Sequence, residues 1–320
     1  VGSEMCIRDR MRRLCPDVPD IDDLLQTPEG AISRRTTEMH IVPPSGRPLR
    51  YPFEGMMLNR VLHDEWLVDL ASSKGAKYLT GARVESVNGE TVTLRDGRNF
   101  HGKIIVGAGG HNDTLRRARW SESSLKIPIK FVLMEGEFGD AVELHFGSMA
   151  PGGYAWVFPK ERGANIGLGI QNKFSKGRSL NSLAEGFISN YEGDITFRGA
   201  GSLPMSGSIK QFVKGNHLLV GDSAGMVLPS NGAGITIAMV GGRIAGQTVV
   251  SHLDEGTSLH EYEKEWKRQM GSVMRNSKLS FKIGSWIMRL PDWVLNLAFN
   301  PVTKPFVWRF VTCRKPFFIF

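Results

Sequence analysis

The chain has 320 residues, room for one large domain or two ordinary ones, and its 41% hydrophobic content is ample for a buried core. The net charge of +8 is not evenly spread: residues 271–320 carry eight Lys and Arg against Asp292 alone, a balance of +7. Cys6, Cys15 and Cys313 are scattered, which excludes a disulfide scaffold and points to a reducing compartment, and no apolar run approaches the ~18–20 residues that span a bilayer.

Residues 1–10, VGSEMCIRDR, carry neither helical nor strand periodicity. They resemble a translated sequencing adapter and are read as non-native, with part of the protein expected upstream. Residues 11–55 hold Pro16, Pro19, Pro28, Pro43, Pro44, Pro48 and Pro52 and read as loops. Leu62, Trp66, Leu67 and Leu70 then recur at helical spacing, with Asn59 as cap and Gly75 as stop. Arg83–Val87 and Thr91–Leu94 read as strands joined by the hairpin pair Asn88-Gly89. Lys103–Val106 is a short apolar strand running into Gly107-Ala108-Gly109-Gly110.

From Ile127 to Ile170 the pattern becomes four strands separated by turns, which suits an antiparallel sheet. Leu180, Leu183 and Phe187 mark a short amphipathic helix. The apolar run His217–Val220 is a strand, and a small-residue helix starts at Ile235. Leu259, Tyr262, Trp266 and Met270 mark a further helix, and the basic tail follows. That tail includes Trp286, Trp293, Trp308, Phe317 and Phe318. Basic residues mixed with bulky aromatics favour a membrane surface over nucleic acid.

Residues 217–247 hold the strongest chemical signal. The strand ends at Gly221-Asp222, and Pro229 and Gly232-Ala233-Gly234 precede the helix at Ile235. The carboxylate can accept hydrogen bonds from sugar hydroxyls. The helix start offers free N–H groups and a partial positive charge to an anion or an electron-rich ring. A second signal is PGGYAWVFPKERGANIGLG at 151–169. Tyr154, Trp156 and Phe158 alternate along one strand and so share a face, Gly153 precedes them and Pro159 ends the run. Gly167 and Gly169 in the adjoining strand leave room beside the aromatics. An apolar aromatic groove suits a long hydrocarbon chain. The eight histidines show no metal spacing, and neither a nucleophile elbow nor a Walker A motif occurs.

The 217–247 stretch resembles the second FAD-binding motif of flavoproteins with the p-hydroxybenzoate hydroxylase fold, and more narrowly the geranylgeranyl reductase family. The resemblance implies that Asp222 contacts the ribityl or ribose side of FAD and that Gly232–Ile235 lies against the flavin. Arg60 matches the arginine of the family's Arg-x-x-Phe-Asp segment, with His63 in place of Phe. Gly107, Ala108, Gly110 and Arg116 match a Gly-Ala-Asp-Gly segment, with Gly109 where the family has Asp and Asp113 near the family's Ser. The strand–GxGxxG–helix that opens this fold is not found in residues 1–60. The 151–169 segment is similar to the family's Tyr-x-Trp-x-Phe-Pro … Gly-x-Gly motif, which lines the isoprenoid site.

The expected fold is therefore an α/β FAD-binding Rossmann-like domain at 11–125 and 203–255. An antiparallel-sheet substrate domain at 126–202 interrupts it, and a helical basic and aromatic membrane-facing region at 256–320 follows. The implied activity is FAD-dependent saturation of C=C bonds in geranylgeranyl chains of lipid precursors, with NADPH or ferredoxin as electron donor. The implied site is cytoplasmic and peripheral on the inner face of the membrane, with neither metal nor nucleic acid. Tyr154 is the one side chain considered as proton donor, and phenols are poor acids at neutral pH. The alternatives are a flavin dehydrogenase passing electrons to quinone, a flavin monooxygenase, or a non-catalytic lipid-binding protein.

Overall fold

The computed structural model of the chain describes residues 5–6, 15–121 and 125–312. In chain order its elements begin with β1 (Met5–Cys6), α1 (Ile21–Leu24), β2 (Ile32–Val42), β3 (Leu49–Leu58) and α2 (Arg60–Ser73). There follow β4 (Val84–Asn88), β5 (Thr91–Leu94), β6 (Asn99–His101), β7 (Ile105–Gly107) and α3 (Thr114–Arg119). The middle of the chain supplies β8 (Lys126–Glu135), β9 (Val142–His145), β10 (Tyr154–Lys160), β11 (Gly163–Gly169), α4 (Leu180–Ile188) and β12 (Asp194–Pro204). The remainder is β13 (Val213–Lys214), β14 (His217–Leu219), α5 (Ile235–Glu255), α6 (Glu261–Ile287), α7 (Asp292–Ala298) and α8 (Lys304–Val311).

The four strands expected between 127 and 170 are present as β8 to β11. The sheet they build is wider than expected: its order is β1-β3-β2-β9-β10-β11-β8-β12. Every neighbouring pair is antiparallel except β2 and β9, which run parallel with Met39 opposite Val142. This corrects the reading of 11–55 as loops. Residues 49–58 alternate buried and exposed at their start, the period of a half-buried strand. Pro52, counted there as a loop marker, sits in β3 beside a register shift in its partner. Among the described residues β1 pairs with Met56 and Met57 at the far end of β3.

A second sheet, β13-β14-β7, pairs β14 with β7 in parallel, and the β4-β5-β6 meander stands beside it. Leu218 and Leu219 of β14 pack with Ile237 and Val240 of α5 and with Tyr262 and Trp266 of α6. Gly241 lets those helices close: a side chain there would meet Met226 Sδ at 2.5 Å and the Trp266 ring at 3.5 Å. The large sheet has a core on each face. Trp156, Phe158, Ile129 and Phe131 pack with the tail on one face, and Val157, Ile166 and Leu168 pack against α4 on the other.

The tail divides between these environments. Trp308 stacks on Tyr51 with centroids 4.4 Å apart, and Phe299 stacks on Phe146 at 5.5 Å. Trp286, Trp293, Leu297 and Val302 are 62–84% exposed. No helix among the described residues is long and apolar enough to cross a membrane. Cys313, Phe317 and Phe318 lie outside the described residues, as do most of residues 1–10.

Candidate active site

The two glycine-rich segments meet where β7 and β14 end side by side. The β14 strand leaves into Gly221, whose φ of +61° only glycine adopts freely, and residues 221–224 form a single 3-10 turn. Ser223 Oγ donates to Gly107 O, and buried Arg116 donates from Nη1 to Ser223 O. Asp113 caps α3 by accepting from Arg116 N at 2.9 Å, and its other oxygen accepts from Gly109 N at 2.8 Å. A side chain at Gly109 would come within 2.7 Å of that carboxylate. The loop thus holds a carboxylate at 113 in the space that a residue at 109 would need. Gly107, Ala108 and Gly109 line an open cleft of about 830 Å³ beside β7, and Gly110 supplies the positive φ of the following turn.

Asp222 is half-buried, and among the described residues its carboxylate accepts no hydrogen bond. Burial pushes its pKa above the usual carboxylate range, offset in part by His111 and Arg60. The β-position of Gly234 lies 3.6 Å from Asp222 Oδ1, so the carboxylate faces the start of α5. No side chain caps that helix, and its first N–H groups have no partner within the helix. Burial and Lys126 hold His111 below its ordinary pKa, and its Nε2 lies 2.8 Å from Ser202 Oγ.

Tyr154, Trp156 and Phe158 share one face of β10, as expected, and face two apolar cavities. A cavity of about 360 Å³ is lined by Arg60, Asp64, Phe131, Phe158, Asn165 and Gly232, among others. A smaller one of about 60 Å³ lies under the tail, lined by Gly153, Gly169, Pro229, Phe281, Gly284, Met288 and Phe310 among others. Tyr154, Trp156, Ile129 and Leu203 border both and form the partition. The Tyr154 hydroxyl donates to Asn231 O at 2.5 Å, and burial raises its pKa. The β-position of Gly232, at φ +74°, is 3.5 Å from that hydroxyl oxygen. Arg60 reaches the larger cavity while paired to Asp64 at 2.9 Å.

Gly167 lines neither cavity: its missing side chain makes room for the Trp156 ring, 2.6 Å from its β-position. Pro159 is buried in β10, and Ala233 and Ile235 pack into neighbouring apolar clusters. Sequence reasoning missed Asn165, whose Oδ1 accepts from Trp156 Nε1 at 2.8 Å and fixes the indole. It also missed Ile129 and Leu203, which enter through the flanking strands β8 and β12. Among the described residues no cluster of side chains could hold a metal ion.

Residues 126–199 match the family model "Geranylgeranyl reductase catalytic domain". A digeranylgeranylglycerophospholipid reductase of Methanopyrus kandleri is 32% identical over 251 residues, covering 71% of this chain and 67% of that protein. A relative of the same name from Methanocella arvoryzae is 29% identical over 76% of this chain and 67% of its own length. The chain thus spans about two thirds of the length of these relatives. A geranylgeranyl bacteriochlorophyll reductase-like protein of Thermoplasma acidophilum superposes with a TM-score of 0.77 at 22% identity, covering 95% of this chain and 81% of that one. A probable FAD-dependent monooxygenase of Pseudomonas aeruginosa shares the fold, with a TM-score of 0.65 at 15% identity over 93% of this chain and 89% of that one. At 32% identity to a relative of which it covers 67%, the chain belongs to the geranylgeranyl reductase family.

Proposed function

We propose that this chain binds FAD and saturates C=C bonds in geranylgeranyl chains of membrane-lipid precursors. The observation that carries the reading is the partition: Tyr154 and Trp156 wall an apolar cavity that Gly232, beside the Tyr154 hydroxyl, also lines. Asp222 fits the hydroxyl donors of a ribityl chain, because its buried carboxylate faces α5 without a donor of its own. The Gly232–Ile235 segment fits a flat ring, because Gly232 presents no side chain to the cavity. Gly107–Gly109 border the open cleft on the nucleotide side.

When bound and reduced, FAD supplies the two-electron reducing equivalent for the alkene. The residues here position the chain and exclude water. Ile129, Phe131, Phe158 and Leu203 provide apolar walls, and Trp156 is held in place by Asn165. Tyr154 keeps its proton, since burial disfavours its phenolate and its O–H is directed at Asn231 O. That arrangement fits a wall better than an acid. The exposed aromatics of α6 to α8 support peripheral contact with a membrane, where a polyprenyl lipid resides.

The test uses the protein expressed from its full reading frame and supplied with FAD. Flavin absorption should appear on the purified protein. A geranylgeranyl lipid incubated with it should gain two mass units for each double bond, with either NADPH or reduced ferredoxin as donor. A lipid of unchanged mass with both donors would sink the reductase reading. Consumption of O2 with oxygen incorporated into the lipid would instead mark a monooxygenase.

A further inference from the structure

The larger cavity grades from an exposed mouth to a buried floor. Phe131, Trp156, Phe158 and Asn165 are buried, whereas Phe197 of β12 is 52% exposed and Val61 of α2 is 65% exposed. The exposed members of the lining mark where a ligand enters. Among the described residues β12 is the edge strand of the large sheet, so Phe197 has a paired strand on one side only. Its ring centroid lies 6.0 Å from that of Phe131, with the two rings tilted by 43°.

A bulge aims this ring at the cavity. Ile195 pairs with Met134 and Phe197 with Leu133, so Thr196 is an extra residue between them. In a regular strand, residues two apart share a face. Here they do not: Ile195 packs with the cluster against α4, and Phe197 lines the cavity on the opposite face. Beyond Phe197 the register is regular again, and Gly199 is the next residue on the cavity face. A side chain at Gly199 would collide with the Phe131 ring, so glycine lets that ring lie across β12. Phe197 is thus left without a same-face neighbour along its own strand, since Ile195 is turned away and Gly199 has no side chain. The ring has room to change rotamer. Its outer half, in water as it stands, gains apolar cover from a hydrocarbon seated in the mouth.

We infer that Phe197 is a gate, whose ring swings out to admit the isoprenoid chain to the larger cavity and swings back to cover it. The inference rests on reading that cavity as the isoprenoid site. It adds the route of entry and the side chain that sets how fast a chain leaves. A chain with several double bonds must stay, or return, for each to be reduced. The exit rate therefore governs how far saturation runs before release.

The experiment mixes geranylgeraniol rapidly with the full-length, FAD-loaded protein and follows tryptophan fluorescence, to which Trp156 in the cavity wall contributes. The observed rate is recorded as the alcohol concentration is raised, its slope giving association and its intercept dissociation. Phe197→Ala should raise both by about tenfold, so that affinity moves by no more than about threefold. Phe197→Tyr, which keeps the ring, should stay within about twofold of the wild type in both. Phe100→Ala, which removes an exposed ring on β6 outside both cavity linings, should change neither. Faster dissociation alone in Phe197→Ala overturns the gate, because a ring that only touches the bound chain slows its exit and not its entry. Unchanged rates in that variant overturn it too and put the mouth elsewhere. Both of these outcomes leave the cavity reading standing. Absence of binding to the wild type overturns the cavity reading itself.

Discussion

Asp222 holds a carboxylate where burial penalises its charge, and among the described residues it has gained no donor in return. Its folded pKa is raised, so its contribution to stability is favourable at low pH and is lost as pH rises through the folded value. Asp222→Asn should therefore raise the melting temperature at neutral pH. The gain should fade as pH falls through the raised pKa toward the ordinary carboxylate range, because the native side chain is then neutral too. The same variant should weaken FAD binding by about tenfold or more, the worth of a hydrogen bond to a charged acceptor. Thermal melts at several pH values, paired with flavin titration, check both. A variant that loses stability at neutral pH would show that Asp222 has a partner within the protein.

At this scale the sequence was informative where a residue type has few other uses. Gly221, Asp222 and Gly232 stand together after a strand, and positive φ or close approach explains both glycines. Asn165 was not legible. Its partner Trp156 sits on the neighbouring strand, and the register that brings them together is set by the whole β10–β11 hairpin.

Among the elements, α6 and α8 depend on one glycine. Gly284 is buried in α6, and a side chain there would collide with Phe310 of α8. Gly284→Ala improves helix propensity by about 1 kcal/mol but forces Phe310 out of its seat, which costs about 1–3 kcal/mol. The expected net result is a loosened α8. Limited proteolysis should cut the chain after α6 faster than in the wild type, while the melting of the remaining domain changes little. Unaltered cleavage would mean that Phe310 finds another rotamer without cost. Legibility was uneven here also. The aromatic strand β10 and the helix after Gly234 follow from period and punctuation alone. The strands β2 and β3 were hidden by prolines, which mark loops on average, although Pro52 lies within β3 beside a register shift.

For the molecule as a whole, apolar exposure and positive charge coincide at the tail. Trp293 and Leu297 are four apart on α7 and so share a face, and Trp286 and Val302 flank that helix in the chain. Lys282 and Arg289 stand beside Trp286 in sequence. Trp286→Ser/Trp293→Ser should reduce partition onto anionic and neutral vesicles alike by about tenfold and leave the preference for anionic lipid in place. Sedimentation with vesicles of each composition reads this directly. Unchanged partition on both compositions would show that these rings do not meet the membrane. Composition revealed the tail's basic and aromatic character. It could not reveal which rings turn inward, since Trp308 and Phe310 are fixed by partners in β3 and α6, far away in sequence.

The parallel pairing of β2 with β9 has a consequence for the order in which the protein can be made. Met39 pairs with Val142, so the ribosome must add about 100 residues after β2 before its partner exists. At a synthesis rate of ~5–20 residues per second, that is an interval of ~5–20 s. During it the β2–β3 hairpin has one strand edge with nothing to receive, a template for pairing with other chains. The nascent chain therefore passes through a vulnerable interval before the sheet that carries Tyr154 and Trp156 has closed.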